Sequence, residues 1–163
     1  MSAARTIVLA ASMLLVAGAA SAKPSGAGSK LGGKAFITAD AVKDQAPEAL
    51  GRQFQNAPAQ GSLGRRTNGR WTGTLVAFYK KPSVEGPTIV WIFDKADKQA
   101  LKDNEPVQAV TVDGSKPGEV FVHEIDFDPD QGYNKEHVYL VRVGQIIGKK
   151  SKVYASGEVK LVK

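Results

Sequence analysis

The chain has no cysteine. That removes disulfides, thiolate metal centres, thiol nucleophiles and lipid attachment through a cysteine, so the fold must be held by its core alone. Histidine is nearly as scarce, with only His123 and His137. A zinc site would need both together with carboxylates, and on an extended strand Glu124 and Asp126 point away from the face that carries His123. None of the serines has the G-x-S-x-G spacing of a nucleophile elbow, so no catalytic residue is assigned. An unrecognised hydrolase stays as the outside alternative to a non-enzymatic protein. Long apolar runs are missing too, apart from one near the start.

That run has a particular form. Arg5 supplies a positive flank, Thr6 to Val16 is apolar, and Ala20-Ser21-Ala22 fits the small-x-small pattern of a cleavage site. Residues 1–22 therefore read as a secretory signal peptide, too short in its apolar part to anchor in a bilayer. The expectation is a bacterial protein, periplasmic or secreted, with no transmembrane segment after cleavage. Residues 23–34, KPSGAGSKLGGK, are rich in Gly, Ser and Lys and read as a flexible tether. Residues 23–163 suffice for one core and are too few for two comfortable domains, and 35–163 are read as the single β-domain.

Within that domain the pattern is mostly β. Short runs of alternating or β-branched residues occur at 35–39, 71–81, 88–93, 107–112, 119–127, 137–146 and 152–162, separated by Gly, Pro, Asn and Asp. One short helix is expected at 45–54, where Pro47 suits a first turn and Leu50 and Phe54 share a face. Residues 55–70 carry Gly, Asn, Gln and Arg and read as a long surface loop. The last two runs form a hairpin turning at Ile147-Gly148-Lys149-Lys150. Seven short strands with turn signals between them predict a single all-β antiparallel sandwich.

Tyr139-Leu140-Val141-Arg142-Val143, the turn at Gly148 and Ser156-Gly157-Glu158-Val159-Lys160-Leu161 resemble the last two strands of fibronectin type III and other immunoglobulin-like domains. The resemblance covers roughly the last 30 residues. It implies an immunoglobulin-like topology and a corner tyrosine, Tyr139 or Tyr133, whose hydroxyl bonds nearby backbone.

Charge is unevenly spread on a chain of net charge +6. Eight acids against Lys116 lie between Asp103 and Asp130, and six bases against Glu158 lie between Arg142 and Lys163. Asp126, Asp128, Asp130, Asn134 and Glu136 are spaced oxygen donors of the kind a Ca²⁺ loop uses, although Gln131 stands where an EF-hand needs Gly. The alternative is a solvated acidic turn. No other cofactor is expected. Arg65, Arg66 and Arg70 on the loop, with Lys149, Lys150 and Lys152 at the hairpin tip, are the candidate partner-binding residues. Their chemistry fits an acidic protein or an anionic cell-envelope component, and nucleic acid is not expected of an exported chain. An internal pairing of Asp126–Asp130 with Lys149–Lys152 is the competing expectation. The reading is an exported non-enzymatic binding module, with a Ca²⁺-stabilised extracellular or adhesion-type module as the alternative.

Overall fold

The computed structural model describes residues 30–163 apart from Asp44, Gly114 and Lys116; the expected signal peptide and most of the tether lie outside the described residues. Eight strands are present among them: β1 (Lys34–Thr38), β2 (Gln60–Gly64), β3 (Trp71–Phe78), β4 (Thr88–Asp94), β5 (Gln108–Val112), β6 (Val120–Phe127), β7 (Val138–Ile147) and β8 (Lys150–Val162). Helix α1 (Pro47–Phe54) precedes β2, helix α2 (Lys98–Asp103) lies between β4 and β5, and a single 3₁₀ turn, Pro129–Gln131, follows β6.

The chain is mostly β, as its alternation predicts. The expected two facing antiparallel sheets are replaced by one curled sheet, paired without a break in the order β5-β4-β7-β8-β1-β3-β6. β8 is the reason. Along one edge its thirteen residues take β7 as an antiparallel partner, and along the other they meet first β1 and then β2, both parallel. A strand that serves both sides in this way leaves no place for the sheet to divide. The sheet is consequently mixed.

Strand β2 corrects a second expectation, because it lies inside the segment read as a loop. Gln60–Gly64 offers only Leu63 to the core, and Gly61 passes so close to Ile37 that a Cβ there would sit 2.2 Å from its carbonyl oxygen. Gly157 on β8 is tighter still, 1.9 Å from the carbonyl oxygen of Ala35. These small residues let β1, β2 and β8 converge.

Alternation sorts side chains onto two faces. Inside the curl, Ile37, Leu63, Trp71, Leu75, Ile92, Phe127, Tyr139, Val141 and Leu161 form one cluster, although β4 and β6 are near opposite ends of the sheet. Trp71 ties the start of β3 to the end of β8, its Nε1 donating to the Val162 carbonyl at 2.6 Å. Outside, α1 lays Leu50 and Phe54 on Phe36, Val76 and Phe78, with the Phe36 and Phe54 rings 5.4 Å apart. Leu31 joins this second cluster and Lys34 opens β1, so the last residues of the expected tether belong to the fold. Helix α2 buries none of its residues.

Candidate functional site

The β7–β8 hairpin stands out first. Gly148, at φ +63°, occupies the first central position of a two-residue turn between the paired residues Ile147 and Lys150. That position of a tight hairpin turn requires a positive φ, which glycine adopts without steric cost. Further down, the register shifts at Val143/Gly144, leaving Tyr154 as the extra residue on β8. The bulge turns Tyr154 inward against Tyr79, with ring centroids 5.0 Å apart. Buried Gln145 then fixes the base of the hairpin. Its Oε1 accepts from the Tyr154 hydroxyl at 2.8 Å, and its Nε2 donates to the Val84 carbonyl at 2.9 Å.

Beyond Gln145 every residue from Ile146 to Val153 is exposed. Side chains on both faces of the ribbon meet solvent, so it projects from the sheet. Ile146, Ile147 and Val153 are 58%, 45% and 48% exposed, and Lys149, Lys150 and Lys152 are interleaved with them. Among the described residues none of these lysines is in a salt bridge. Lys152 Nζ lies 4.8 Å from the centre of the Tyr154 ring, at the foot of the ribbon.

The arginines read as binding residues are engaged within the chain. Arg65 Nε donates to the Gly69 carbonyl at 2.6 Å, and its guanidinium lies 5.3 Å over the Trp71 ring. Arg66 donates to the Ala39 carbonyl at 3.1 Å. Arg70 reaches Asp126 at 3.1 Å and Asp128 at 2.6 Å. The acidic stretch and the hairpin lysines do not meet, which corrects the expected internal pairing. Asp126 and Asp128 answer Arg70 at the end of the sheet opposite the hairpin tip.

The oxygen donors of the acidic loop are likewise divided. Asp128 Oδ1 accepts the Asp130 N–H at 3.0 Å and so caps the 3₁₀ turn. Asn134 Nδ2 donates to the Gly132 carbonyl, and Glu136 pairs with Lys160 at 3.0 Å, which lowers the Glu136 pKa. Among the described residues no group of three or more His, Asp or Glu is gathered to hold a metal ion. Tyr139, completely buried, accepts the Asn134 N–H on its hydroxyl at 2.7 Å, while the Tyr133 hydroxyl donates to Gln108 Oε1 at 2.7 Å. Burial holds the pKa of both phenols above the ordinary range.

His137 and His123 differ in setting. His137 Nδ1 lies 2.7 Å from Asp94 Oδ2. His123 is half-buried on the inner face of β6 and stacks on Phe121; burial lowers its pKa, partly offset by the neighbouring Glu124 charge. His123 also lines a groove of about 590 Å³ along β6, shared with Tyr79, Thr88, Val112 and Glu124. A second hollow of about 440 Å³ lies between α1 and the β1–β8 junction.

Sequence reasoning found the hairpin and its lysines but missed the aliphatic side chains exposed beside them. Alternation assigns Ile146 to the strand and says nothing of where the sheet ends beneath it. The signal available was Ile146-Ile147 running directly into the turn, where neither residue has a core to reach.

The structure thus defines an all-β protein on one curled mixed sheet, with a projecting basic and aliphatic hairpin and an open groove along one edge. No protein-family model matches the chain, and no curated protein matches it in sequence.

Proposed function

We propose that this is an exported, non-enzymatic module that docks reversibly on an anionic cell-envelope surface through the tip of the β7–β8 hairpin. One observation carries the reading: three exposed aliphatic side chains and three lysines outside any described salt bridge share a ribbon that projects from the sheet. The immunoglobulin-like resemblance enters as a β scaffold that presents this hairpin, and the signal peptide read from residues 1–22 supplies the route to the envelope.

Physical arithmetic supports a weak, reversible contact. A fully buried Ile or Val is worth about 1.5–3 kcal/mol, so covering half of each of the three contributes roughly 1 kcal/mol apiece. Each lysine near an anionic lipid surface adds about 1 kcal/mol. The gross gain of roughly 6 kcal/mol, before the cost of association, lies far from permanent anchoring. Solvation alone accounts for the lysines but leaves the exposed Ile146, Ile147 and Val153 without a purpose.

The test is co-sedimentation with vesicles of phosphatidylglycerol and phosphatidylethanolamine, beside vesicles of phosphatidylcholine alone. Binding is expected to the anionic vesicles, to fall as salt rises, and to be lost in the K149E/K150E/K152E variant. An I146S/I147S variant should retain the salt dependence with reduced affinity. Equal binding to both vesicle types, or none to the anionic ones, would overturn the reading.

A further inference from the structure

The curled sheet ends in two strands, β5 and β6, that are consecutive in sequence and run in opposite directions yet are not paired with each other. Neighbours with that geometry ordinarily zip into a hairpin. Here the groove of about 590 Å³ occupies the seam, with Val112 from β5 on one side and Val120, Val122 and Glu124 from β6 on the other.

The orientation of the β6 backbone follows from one hydrogen bond. Tyr79 N–H donates to the Glu119 carbonyl at 2.7 Å, continuing the register that pairs Phe78 with Val120 and Ala77 with Phe121. In an antiparallel ladder, residues alternate between those bonded to the partner strand and those turned outward. Phe121, His123 and Ile125 therefore bond to β3. Val120, Val122 and Glu124 turn their N–H and C=O groups to the free edge, and these three residues line the groove. Its wall is a strand edge whose outward backbone groups have no backbone partner among the described residues.

Two further features mark the seam as built for an occupant. Tyr79 is 7% exposed, lines the groove, and among the described residues its hydroxyl has no hydrogen-bond partner. Thr88 stands near enough to temper the rise that burial imposes on the phenol pKa, to about 12, but outside hydrogen-bonding geometry. A buried hydroxyl left unpaired is uncommon and costly, and a ligand group could complete it. The fixed charge lining the groove is of one sign: Asp113 and Glu124 are there beside His123, whose protonation burial disfavours, and no described Lys or Arg.

The geometry points to a peptide-acceptor site, in which an extended segment of another protein, alternating apolar and basic residues, adds to the free edge of β6 and fills the seam toward β5. Edge pairing supplies affinity through the main chain, and alternate side chains supply selectivity, apolar ones toward Val112 and Phe121 and basic ones toward Asp113 and Glu124. A second copy joined β6 to β6 is disfavoured by charge, because antiparallel self-pairing would set Glu119, Glu124 and Asp126 of one chain among the same acids of the other. The site is independent of the hairpin tip.

The test uses an acetylated, amidated heptapeptide alternating lysine and valine, and two controls: the same peptide N-methylated at alternate backbone nitrogens, and one with glutamate for lysine. Titration into the labelled protein should shift and protect the amides of Val120, Val122 and Glu124. Both control peptides should bind at least tenfold more weakly. Val122→Pro removes an outward N–H at an edge, where proline is tolerated, and should abolish binding while leaving the β3–β6 ladder intact. Should that variant fail to fold, the D113N/E124Q double variant gives the same answer through a weaker and less salt-dependent interaction. Tyr79→Phe should be at least as stable as the parent and bind several-fold more weakly. The K149E/K150E/K152E variant should bind the peptide as the parent does. Undiminished binding of the N-methylated peptide, shifts confined to Ile146–Val153, or self-association through the groove on light scattering would each overturn the assignment.

Discussion

Gly157→Ala is the sharpest test of how the sheet is joined. The added Cβ would stand 1.9 Å from the Ala35 carbonyl oxygen and 2.7 Å from its carbon, both backbone atoms that no rotamer change can move aside. An ordinary C···O approach is about 3.3 Å, so β1 and β8 must part by roughly 1.4 Å. That displacement breaks the Ser156 N–H to Gly33 carbonyl bond, now 3.0 Å. Overpacking costs about 1–3 kcal/mol and a lost backbone hydrogen bond about 1 kcal/mol. Alanine returns some 0.5–1 kcal/mol of backbone entropy, so the net loss should be about 1–3.5 kcal/mol. With a urea slope near 2 kcal/mol/M, the unfolding midpoint should drop by roughly 0.5–1.75 M. Gly64→Ala is the matched control, because its Cβ would meet only the Lys163 carbonyl oxygen at 3.7 Å. It should be neutral or slightly stabilising. If the two variants unfold at the same urea concentration, the close convergence of β1 and β8 is not what the fold depends on.

Two other substitutions probe electrostatics. Arg70→Ala removes the partner of Asp128, a carboxylate only 12% exposed, and should cost about 1–2 kcal/mol by urea unfolding, whereas Asp126→Asn, at a side chain 43% exposed, should cost at most about 0.5 kcal/mol. Because folding lowers the His123 pKa, the folded state binds this proton less readily than the unfolded chain does. Its contribution is therefore present above the unfolded value near 6.5 and is lost as pH falls through the folded value. His123→Gln should flatten the decline in stability as pH falls below about 6.5, and an unchanged slope would remove His123 as a contributor.

What the sequence discloses and withholds follows from what periodicity measures. The β-branched and aromatic run TIVWIF, and alternation in EVFVHEIDF and along the terminal hairpin, located β4, β6, β7 and β8 to within a residue or two, and Pro47 with Leu50 and Phe54 located α1. Period-two patterns say which face a residue occupies but not which strand lies beside it. The single sheet, with β8 holding β7 on one edge and β1 and β2 on the other, was therefore hidden. β2 escaped because Gln60-Gly61-Ser62-Leu63-Gly64 has one apolar residue, and glycine, normally weak in strands, is there for close approach. The lysines of the hairpin were legible as charge. Their aliphatic neighbours became visible as exposed only once the end of the sheet was known, and the groove along β6 depends wholly on which strands remain unpaired.

The central position of β8 has a consequence for how a copy of this protein is completed. A chain is made from its N-terminus, yet β1 and β2 take as a neighbour the strand that emerges after all the others. Until β8 exists, β7 lacks its second partner and the two halves of the sheet have nothing to join them. Such long-range closure is slow and leaves edges open meanwhile. A product cut short by even that one strand would be two unjoined fragments of sheet, each with an open edge where β8 belongs.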